Sequence, residues 1–199
     1  AELVEYEAQI IDGEYVVEGD MIFGTEAEYR ERLQRAESRG IVTNDQKERW
    51  GDGIIPYLIE SDHPMEDEIK TAIDKVNNET NLTLRPYSSS DLDYVAFIKS
   101  DVMSSRVGRQ FGRQTIEIST KAKVGNVIHE IFHAAGMMHE QSRCDRNDYV
   151  TIFRENILEE RLPNFERVCA EGTDMGKYNY GSIMHYGPKS FSKNRELTI

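Results

Sequence analysis

The chain has 199 residues, of which 38% are hydrophobic, and its formal net charge is −12. A chain of this length can form one domain with a hydrophobic core and still carry an additional segment. The sequence has no apolar stretch near the roughly 18 residues that a membrane-spanning helix needs. An acidic chain also lacks the basic face that binds nucleic acids and anionic membranes. We therefore expect neither nucleic acid nor membrane as a partner. We also expect a monomer.

The first 40 residues are expected to form an appendage to the main domain. The sequence Thr25-Glu26-Ala27-Glu28 is typical of a capping box, and it predicts a helix that runs to about Ser38. The apolar stripe of this helix is thin, so the helix would be held weakly. We place a domain boundary near Arg39–Ile41, which separates residues 1–40 from residues 41–199.

The rest of the chain predicts an α+β fold. Ile54–Ile59 is typical of a strand, and its Pro56 predicts a position at a sheet edge or at the start of a strand. Apolar residues at helical spacing predict a helix over residues 64–77, and a second helix is expected from Val124 to Ala135. Three further strand-like runs and one short helical stretch are predicted at Leu82–Leu84, Tyr94–Ile98, Thr115–Ile118 and Phe153–Arg161.

The second of these helices carries a histidine pattern that predicts a zinc site. His129 and His133 are four residues apart, so a helix places both imidazoles on one face, a single turn apart. Gly136 can adopt a positive φ and end the helix, after which the chain can bring in His139 as a third ligand. Three protein ligands leave a fourth position open, which is typical of catalytic zinc rather than structural zinc.

Glu130 directly follows the first histidine, where its carboxylate can reach a water molecule at that fourth position. Zinc lowers the pKa of such a water toward about 7, and Glu130 can accept its proton during attack on a carbonyl group. The plain alternative is a core helix, because the apolar residues around the histidines would suit one. The pattern His-Glu-x-x-His-x-x-Gly-x-x-His-Glu arises by chance so rarely that we favour the metal site.

A second motif, Ser182-Ile183-Met184-His185-Tyr186, lies closer to the C-terminus. By itself it is a turn with a buried methionine, for which a packing role is the default interpretation. Downstream of a zinc motif, it resembles the methionine turn that lies beneath the metal site in metzincin proteases.

Together the motifs resemble those of the astacin metallopeptidases. This resemblance implies a two-lobed metzincin fold around a cleft with one catalytic zinc ion. It implies a secreted endopeptidase that cuts proteins or peptides. It also implies that Thr115–Ile118 is the edge strand to which an extended substrate adds as a further strand. The segments that carry the resemblance span nearly all of residues 50–195: Trp50–Tyr57, Gly112–Thr115, His129–Arg143 and Ser182–Tyr186.

The resemblance further implies roles for individual residues. Tyr186 would bind zinc in the resting enzyme and then swing to hold the oxyanion of the tetrahedral intermediate, with Met184 beneath the metal. Residues 1–40 would be an inhibitory prosegment, in which Asp20 takes the place of the water on zinc. Asp20 ends the sequence Val17-Glu18-Gly19-Asp20, where Val17 stands for the usual phenylalanine.

Activation of such a precursor would require a second protease. A trypsin-like enzyme that cuts near Arg39–Ile41 would remove the prosegment. In the family, the new N-terminal ammonium group becomes buried and reaches the glutamate after the third histidine, which is Glu140 here.

The sequence departs from the family pattern in its cysteines and at its C-terminus. The family usually has four cysteines in two bridges, whereas this chain has Cys144 and Cys169. An exported protein would pair them and a cytosolic protein would leave them free, so their state stays open at this point. The chain also ends at Ile199, short of the C-terminal helix that the resemblance implies.

Two alternatives to an astacin-type enzyme remain. Another metzincin subfamily would fit the zinc motif, although Glu140 directly after His139 argues against it. A zinc-binding interaction module without proteolytic activity would also keep the three histidines, although the retention of Glu130 and Tyr186 argues against that.

Overall fold

The computed structural model describes the backbone of residues 9–11, 14–17 and 21–25, and the backbone and side chains of residues 41–199. The chain divides into two compact units, of which one is residues 45–137 and the other is residues 1–44 together with 138–199. Asp20, the helix predicted after Thr25 and the cut site around Arg39 lie outside the described residues, so these three stay predictions.

Among the described residues, the α-helices lie in residues 45–137, 3₁₀ helices are frequent in residues 138–199, and strands occur in both units. The strands are β1 (Gln9–Ile11), β2 (Glu14–Val17), β3 (Met21–Thr25), β4 (Val42–Thr43), β5 (Ile54–Ile59), β6 (Thr83–Pro86), β7 (Tyr94–Ser100), β8 (Ser104–Arg106), β9 (Arg113–Ser119) and β10 (Gly172–Thr173). The α-helices are α1 (Glu66–Glu79) and α2 (Val124–Ala134). The 3₁₀ helices are Gln46–Glu48, Glu140–Ser142, Arg146–Asp148, Arg154–Asn156 and Glu159–Phe165.

The sheet of residues 45–137 has the strand order β8–β9–β7–β5–β6. Strands β9, β7, β5 and β6 run parallel to their neighbours, and β8 runs antiparallel to β9. Parallel neighbours need long crossover connections. Helix α1 lies in the crossover between β5 and β6.

The hydrophobic core of this unit joins both α-helices to the sheet. The buried residues of α1 recur at the spacing of one helical face: Ile69, Ala72, Ile73 and Val76. The strands and α2 complete the core with Ile55, Val95, Phe97, Ile116, Ile118, Val127, Ile131 and Ala134. The helices predicted over 64–77 and 124–135 are therefore confirmed, and their apolar faces hold α2 against the sheet.

Strand β5 is internal, so the sheet edge, one of the two positions predicted from Pro56, is wrong; Pro56 is the third residue of the strand, near its start. β5 pairs with β6 on one side and with β7 on the other. The pairing with β7 begins only at Tyr57, one residue after the proline. Proline has no N–H to donate, and here the second ladder starts beyond it, so Pro56 is tolerated inside the sheet.

The expectation that Thr115–Ile118 is an edge strand is also wrong. These residues belong to β9, which pairs with β7 on one side and β8 on the other. β8 is a three-residue strand with the sequence Ser-Ser-Arg. It has no alternation of apolar and polar residues, which is why the sequence did not indicate it.

The other unit is built from short strand pairings and turns. β2 pairs antiparallel with both β1 and β3, and β4 pairs antiparallel with β10. Ile41 is buried, and its carbonyl accepts a hydrogen bond from the N–H of Met138 at 3.1 Å. Cys144 and Cys169 form a disulfide, which answers the question that the sequence left open.

The stretch predicted as helical near Phe153–Arg161 consists of two 3₁₀ helices, Arg154–Asn156 and Glu159–Phe165. Pro163 lies inside the second of these and cannot donate a helical hydrogen bond, so a longer α-helix is disfavoured there. Within the part of the chain that the structure describes, no helix combines the length and the apolar character required to cross a bilayer.

Candidate metal and catalytic site

Helix α2 ends in a Schellman motif directly after its second histidine. Gly136 has a φ of +101°, a conformation that favours glycine. The N–H of Gly136 donates to the carbonyl of His133 at 2.8 Å, and the N–H of Met137 donates to the carbonyl of Phe132 at 2.9 Å. The helix stop predicted at Gly136 is therefore present.

Three histidine side chains come together around this turn. Ligand nitrogens of His129, His133 and His139 all lie within 4.8 Å of one another. His133 and His139 are fully buried, and His129 is partly buried. The four-residue spacing on α2 and the turn that follows it thus produce the three-histidine group that the sequence predicts.

The hydrogen bonding of His133 defines which of its ring nitrogens can bind a metal. Its Nδ1 lies 2.8 Å from the carbonyl oxygen of Met137. Because a carbonyl oxygen only accepts, Nδ1 carries the proton and a neutral ring presents Nε2 as the ligand atom. Metal-binding histidines ordinarily have such an outer hydrogen bond, and three imidazoles suit zinc with one position open. The donor set therefore fits a catalytic zinc ion.

The segment that carries His139 is tied to the Ser182–Tyr186 turn by two hydrogen bonds. The N–H of Glu140 donates to the carbonyl of Met184 at 2.9 Å. The N–H of Tyr186 donates to Oε1 of the buried Gln141 at 3.1 Å. The ring of Tyr186 lies 4.7 Å from the ring of His139, measured between centroids. Tyr186 therefore lies beside the third histidine.

The Ser182–Tyr186 turn is closed by its own serine. The N–H of Met184 donates to Oγ of Ser182 at 3.1 Å, and the N–H of His185 donates to the Ser182 carbonyl at 3.0 Å. Met184 is buried. The ring of Tyr186 packs edge-on against Phe165 and Phe191. The turn is thus a compact element with its methionine inside.

Glu130 lies on α2 between the two helical histidines and is 2% exposed. Carboxylates are almost never fully buried unless they make specific interactions. Burial therefore distinguishes Glu130 from the solvated glutamates of the chain.

Arg143 follows His139 by four residues and is buried, with 3% of its side chain exposed. Its guanidinium donates to both carboxylate oxygens of Asp145 at 2.8 Å and to Oε1 of Glu140 at 3.3 Å. It also donates to the carbonyls of Met175 and Gly176. The hydrogen bonds from Arg143 lower the pKa of Asp145, and Asp145 in turn raises the pKa of Arg143. This cluster joins the third-histidine segment to residues 175–176.

Tyr178 and His185 form a further hydrogen-bonded pair next to the turn. The hydroxyl oxygen of Tyr178 lies 2.7 Å from Nε2 of His185, and Nδ1 of His185 lies 2.7 Å from the carbonyl oxygen of Tyr186. Burial and, to a lesser extent, the negative charge of Glu140 raise the pKa of Tyr178.

Sequence reasoning assigned no role to Gln141, Arg143 or Tyr178. The signal for Arg143 was present, because two carboxylates, Glu140 and Asp145, lie within three residues of it. The sequence around Gln141 and Tyr178 contained no such signal, because their hydrogen-bond partners depend on the position of the Ser182–Tyr186 turn in the folded chain. Of the predicted site residues, the structure brings together the three histidines and places Tyr186 beside one of them, whereas Asp20 lies outside the described residues.

Comparison with known sequences shows a family for most of the chain. The family model described as Astacin, a peptidase family, matches residues 42–199. The zinc metalloproteinase nas-13 of Caenorhabditis elegans is 38% identical over 156 residues, covering 76% of this chain and 35% of that protein. Meprin A subunit beta of Homo sapiens is 34% identical over 174 residues, covering 84% of this chain and 24% of that protein. The chain thus spans less than half the length of each of these relatives.

A solved structure agrees with this assignment. High choriolytic enzyme 1, a hatching enzyme zinc-protease from the medaka fish Oryzias latipes, is 31% identical to this chain with a TM-score of 0.66. The match covers 75% of this chain and 78% of that one. The α+β fold predicted from the helix and strand patterns is confirmed, and the chain belongs to the astacin family of zinc metallopeptidases.

Proposed function

We propose that the protein is a zinc-dependent endopeptidase that acts outside the cell and is made as a latent precursor. The observation that carries this proposal is the three-histidine group, with Glu130 on the same helix as two of its members. Family membership supports it, because nas-13 and the medaka hatching enzyme are named as a zinc metalloproteinase and a zinc-protease.

In this proposal His129, His133 and His139 hold the metal, and Glu130 is the general base. A zinc ion supplies Lewis-acid chemistry, which polarises a peptide carbonyl and lowers the pKa of a water molecule to about 7. Glu130 accepts the proton of the attacking water and passes it to the leaving amine. The burial of Glu130 supports this role, because bulk water cannot compete for its carboxylate.

Tyr186 is the candidate for stabilising the oxyanion of the tetrahedral intermediate. A phenol is a neutral donor, and such donors lower the barrier most when they are already aimed at the oxygen that becomes negative. The position of its ring, 4.7 Å from the ring of His139, supports the assignment.

Replacement of Glu130 by alanine tests the general-base role. Glu130→Ala is expected to bind one zinc ion per chain and to lose about 10²–10⁴-fold in kcat/KM on a peptide substrate. The matched control is Glu155→Ala, because Glu155 is exposed in a 3₁₀ helix. Full activity of Glu130→Ala would overturn the mechanism. An activated parent protein that binds zinc but digests no casein would instead support the interaction module.

Latency is assigned to residues 1–40, with Asp20 as the ligand that blocks the metal. A carboxylate oxygen is a suitable zinc ligand, and its presence at the open position would exclude the water nucleophile. The pairing of Val17 with Met21 supports this assignment, because it brings the two residues that flank Glu18–Asp20 side by side. The plain alternative is a solvated aspartate in a glycine turn.

The variant Asp20→Ala distinguishes an aspartate that blocks the metal from a solvated aspartate in a turn. The variant is expected to cleave peptides while it still retains residues 1–40, because the open metal position then accepts water. Glu18→Ala is the matched control, since it removes a carboxylate two residues away, and it should stay latent. Equal latency of Asp20→Ala and the parent precursor would show that Asp20 is not the inhibitor.

Export and activation complete the proposal. The Cys144–Cys169 disulfide supports passage through an oxidising compartment. An activating protease would cut near Arg39–Ile41 and release a monomeric enzyme. N-terminal sequencing of trypsin-activated protein tests the cut site. An active product that still begins upstream of Arg39 would contradict it.

A further inference from the structure

The side chain of His185 links two parts of the molecule through its two ring nitrogens. Nδ1 faces the carbonyl oxygen of Tyr186 and Nε2 faces the hydroxyl of Tyr178, each at 2.7 Å. The carbonyl can only accept, so Nδ1 must carry a proton. In a neutral imidazole Nε2 then accepts, and the Tyr178 hydroxyl donates to it. For a neutral ring, the direction of both hydrogen bonds is therefore defined.

The donor at the start of this chain of hydrogen bonds is held firmly. Tyr178 is buried, and its ring is stacked on the ring of Tyr149 with centroids 4.8 Å apart and planes at 12°. The guanidinium of Arg143 lies 5.7 Å from the centre of the Tyr178 ring. Arg143 is itself fixed by its hydrogen bonds to Asp145 and Glu140. The Tyr178 hydroxyl thus has a defined position.

The main chain of Tyr186 is held from both sides. Its N–H donates to Oε1 of Gln141, and its carbonyl accepts from Nδ1 of His185. The ring of Tyr186 packs against three other rings: those of His139, Phe165 and Phe191. The main chain of Tyr186 is therefore fixed by directional contacts at both its N–H and its carbonyl.

We propose that Tyr178 and His185 form a positioning pair that fixes the main chain of Tyr186 and thereby the point from which its phenol reaches the oxyanion. This inference rests on the proposed endopeptidase function, in which Tyr186 stabilises the oxyanion of the tetrahedral intermediate. A fixed main chain presents the phenol to the oxyanion from the same point in each turnover. Such preorganisation is what makes an oxyanion donor effective.

The kinetic test uses Tyr178→Phe, which keeps the ring and its stacking and removes one hydroxyl. We expect kcat to fall by about tenfold, with KM and the zinc content unchanged, as for other residues that act through a site residue. The control is Tyr180→Phe, because the Tyr180 hydroxyl donates to the carbonyl of Tyr149 and not to His185. It should retain parental kcat. An unchanged kcat for Tyr178→Phe would overturn the proposal.

A double-mutant cycle separates positioning from general stability. If the pair acts through Tyr186, then Tyr178→Phe should cause no further loss of kcat in a Tyr186→Phe background. An additional tenfold loss in that background would show that Tyr178 acts by another route and would overturn the proposal.

A measurement without metal or substrate tests the geometry itself. In the zinc-free protein, ¹⁵N NMR should show His185 as the Nδ1–H tautomer, and Tyr178→Phe should introduce the other tautomer. His63 is an internal reference, because its Nδ1 accepts from the N–H of Met65 and its proton is therefore on Nε2. An Nε2–H tautomer for His185 in the parent would overturn the proposal that Tyr178 and His185 act as a positioning pair. An inactive parent with the expected tautomer would refute the proposed function and leave the pair intact.

Discussion

Glu140 accepts hydrogen bonds from two directions, from the N–H of Asn179 at 2.8 Å and from Arg143 at 3.3 Å, and 13% of its side chain is exposed. The segment that carries it also contacts the beginning of the main domain, because Met138 donates to the carbonyl of Ile41. This proximity of Ile41 supports the hypothesis that a new N-terminus near that residue could reach Glu140. A partly buried ammonium–carboxylate pair would be costly to leave with one member missing.

Glu140→Gln is therefore expected to mature normally and then to lose stability and activity. Glutamine keeps an oxygen that accepts from Asn179 but removes the charge, which weakens charge-assisted hydrogen bonds. We expect a loss of about 1 kcal/mol in the free energy of unfolding. Urea unfolding and peptide hydrolysis of the processed protein measure the two effects, with Glu155→Gln as the exposed control. A processed variant with the stability and activity of the parent would show that Glu140 does not pair with the new N-terminus.

Asp91 predicts a dependence of stability on pH. Its carboxylate accepts two hydrogen bonds from Arg85, at 2.8 and 2.5 Å, and one from the N–H of Ser88 at 2.7 Å. Arg85 and, next, Ser88 lower the pKa of Asp91 to about 2. The folded pKa lies below the unfolded value of about 4, so the stabilisation is present above pH 4 and lost as the pH falls toward 2.

Asp91→Asn should therefore differ from the parent in stability at pH 5 and converge with it as the pH approaches 2. Urea unfolding of both zinc-free proteins across this range measures the difference. Zinc-free protein is needed because acid also protonates the histidine ligands. A difference that stays constant from pH 5 to pH 2 would contradict the assigned pKa.

Helix α2 carries two of the three histidines. Its C-terminal end places the strictest conformational requirement on the sequence. Gly136 has a φ of +101°, and the chain must turn there to bring in His139. Gly136→Ala is expected to cost about 1–2 kcal/mol in unfolding free energy. It should also weaken zinc binding, because the third histidine would be displaced.

The control for this change is Gly51→Ala. Gly51 does not have a positive φ, and an added Cβ there would meet no atom within 4 Å. Chelator competition measures zinc affinity, and urea unfolding of the zinc-free proteins measures stability. Equal zinc affinity and stability for both glycine variants would show that the turn tolerates a side chain.

At the same scale, the sequence predicted best those elements whose residues carry their own periodicity. Helix α1 was predictable because Ile69, Ile73 and Val76 recur at helical spacing on one face. Helix α2 was predictable because His129 and His133 are one helical turn apart and Gly136 marks its end. The two-residue strand β10 was not predictable. It exists because β4 pairs with it, and nothing within Gly172–Thr173 signals that partner.

The same distinction applies to the site. The three histidines are fixed by local geometry, so their convergence followed from spacing. The placement of Pro56 inside the sheet depends on where the β7 pairing begins, and the contact between Tyr178 and His185 depends on the path of a turn. Such features result from tertiary packing, and a pattern in one segment does not encode them.

At the scale of the whole molecule, the Cys144–Cys169 disulfide closes a loop with a sequence separation of 25 residues that begins five residues after His139. Cross-linking a loop of this size restricts the unfolded chain and should stabilise the protein by about 3 kcal/mol. The double variant Cys144→Ser/Cys169→Ser is expected to lose about that amount. Thermal unfolding under oxidising conditions measures it.

A control for this prediction is the parent protein in a reducing agent, which should unfold at the same temperature as the double variant. Zinc content should be measured in parallel, because the closed loop follows the third ligand closely in sequence. A double variant as stable as the oxidised parent would show that the bridge forms without constraining the fold.

The pairing of β4 with β10 has a consequence for the kinetics of activation. Val42 and Thr43 are already paired with residues 172–173, and the N–H of Asn44 donates to the carbonyl of Glu171 at 3.1 Å. A cut near Arg39–Ile41 would thus create a chain end a few residues from a segment that is already docked. Activity should then appear in step with cleavage, without a lag for refolding, and the released enzyme would retain the anchor that holds its new terminus.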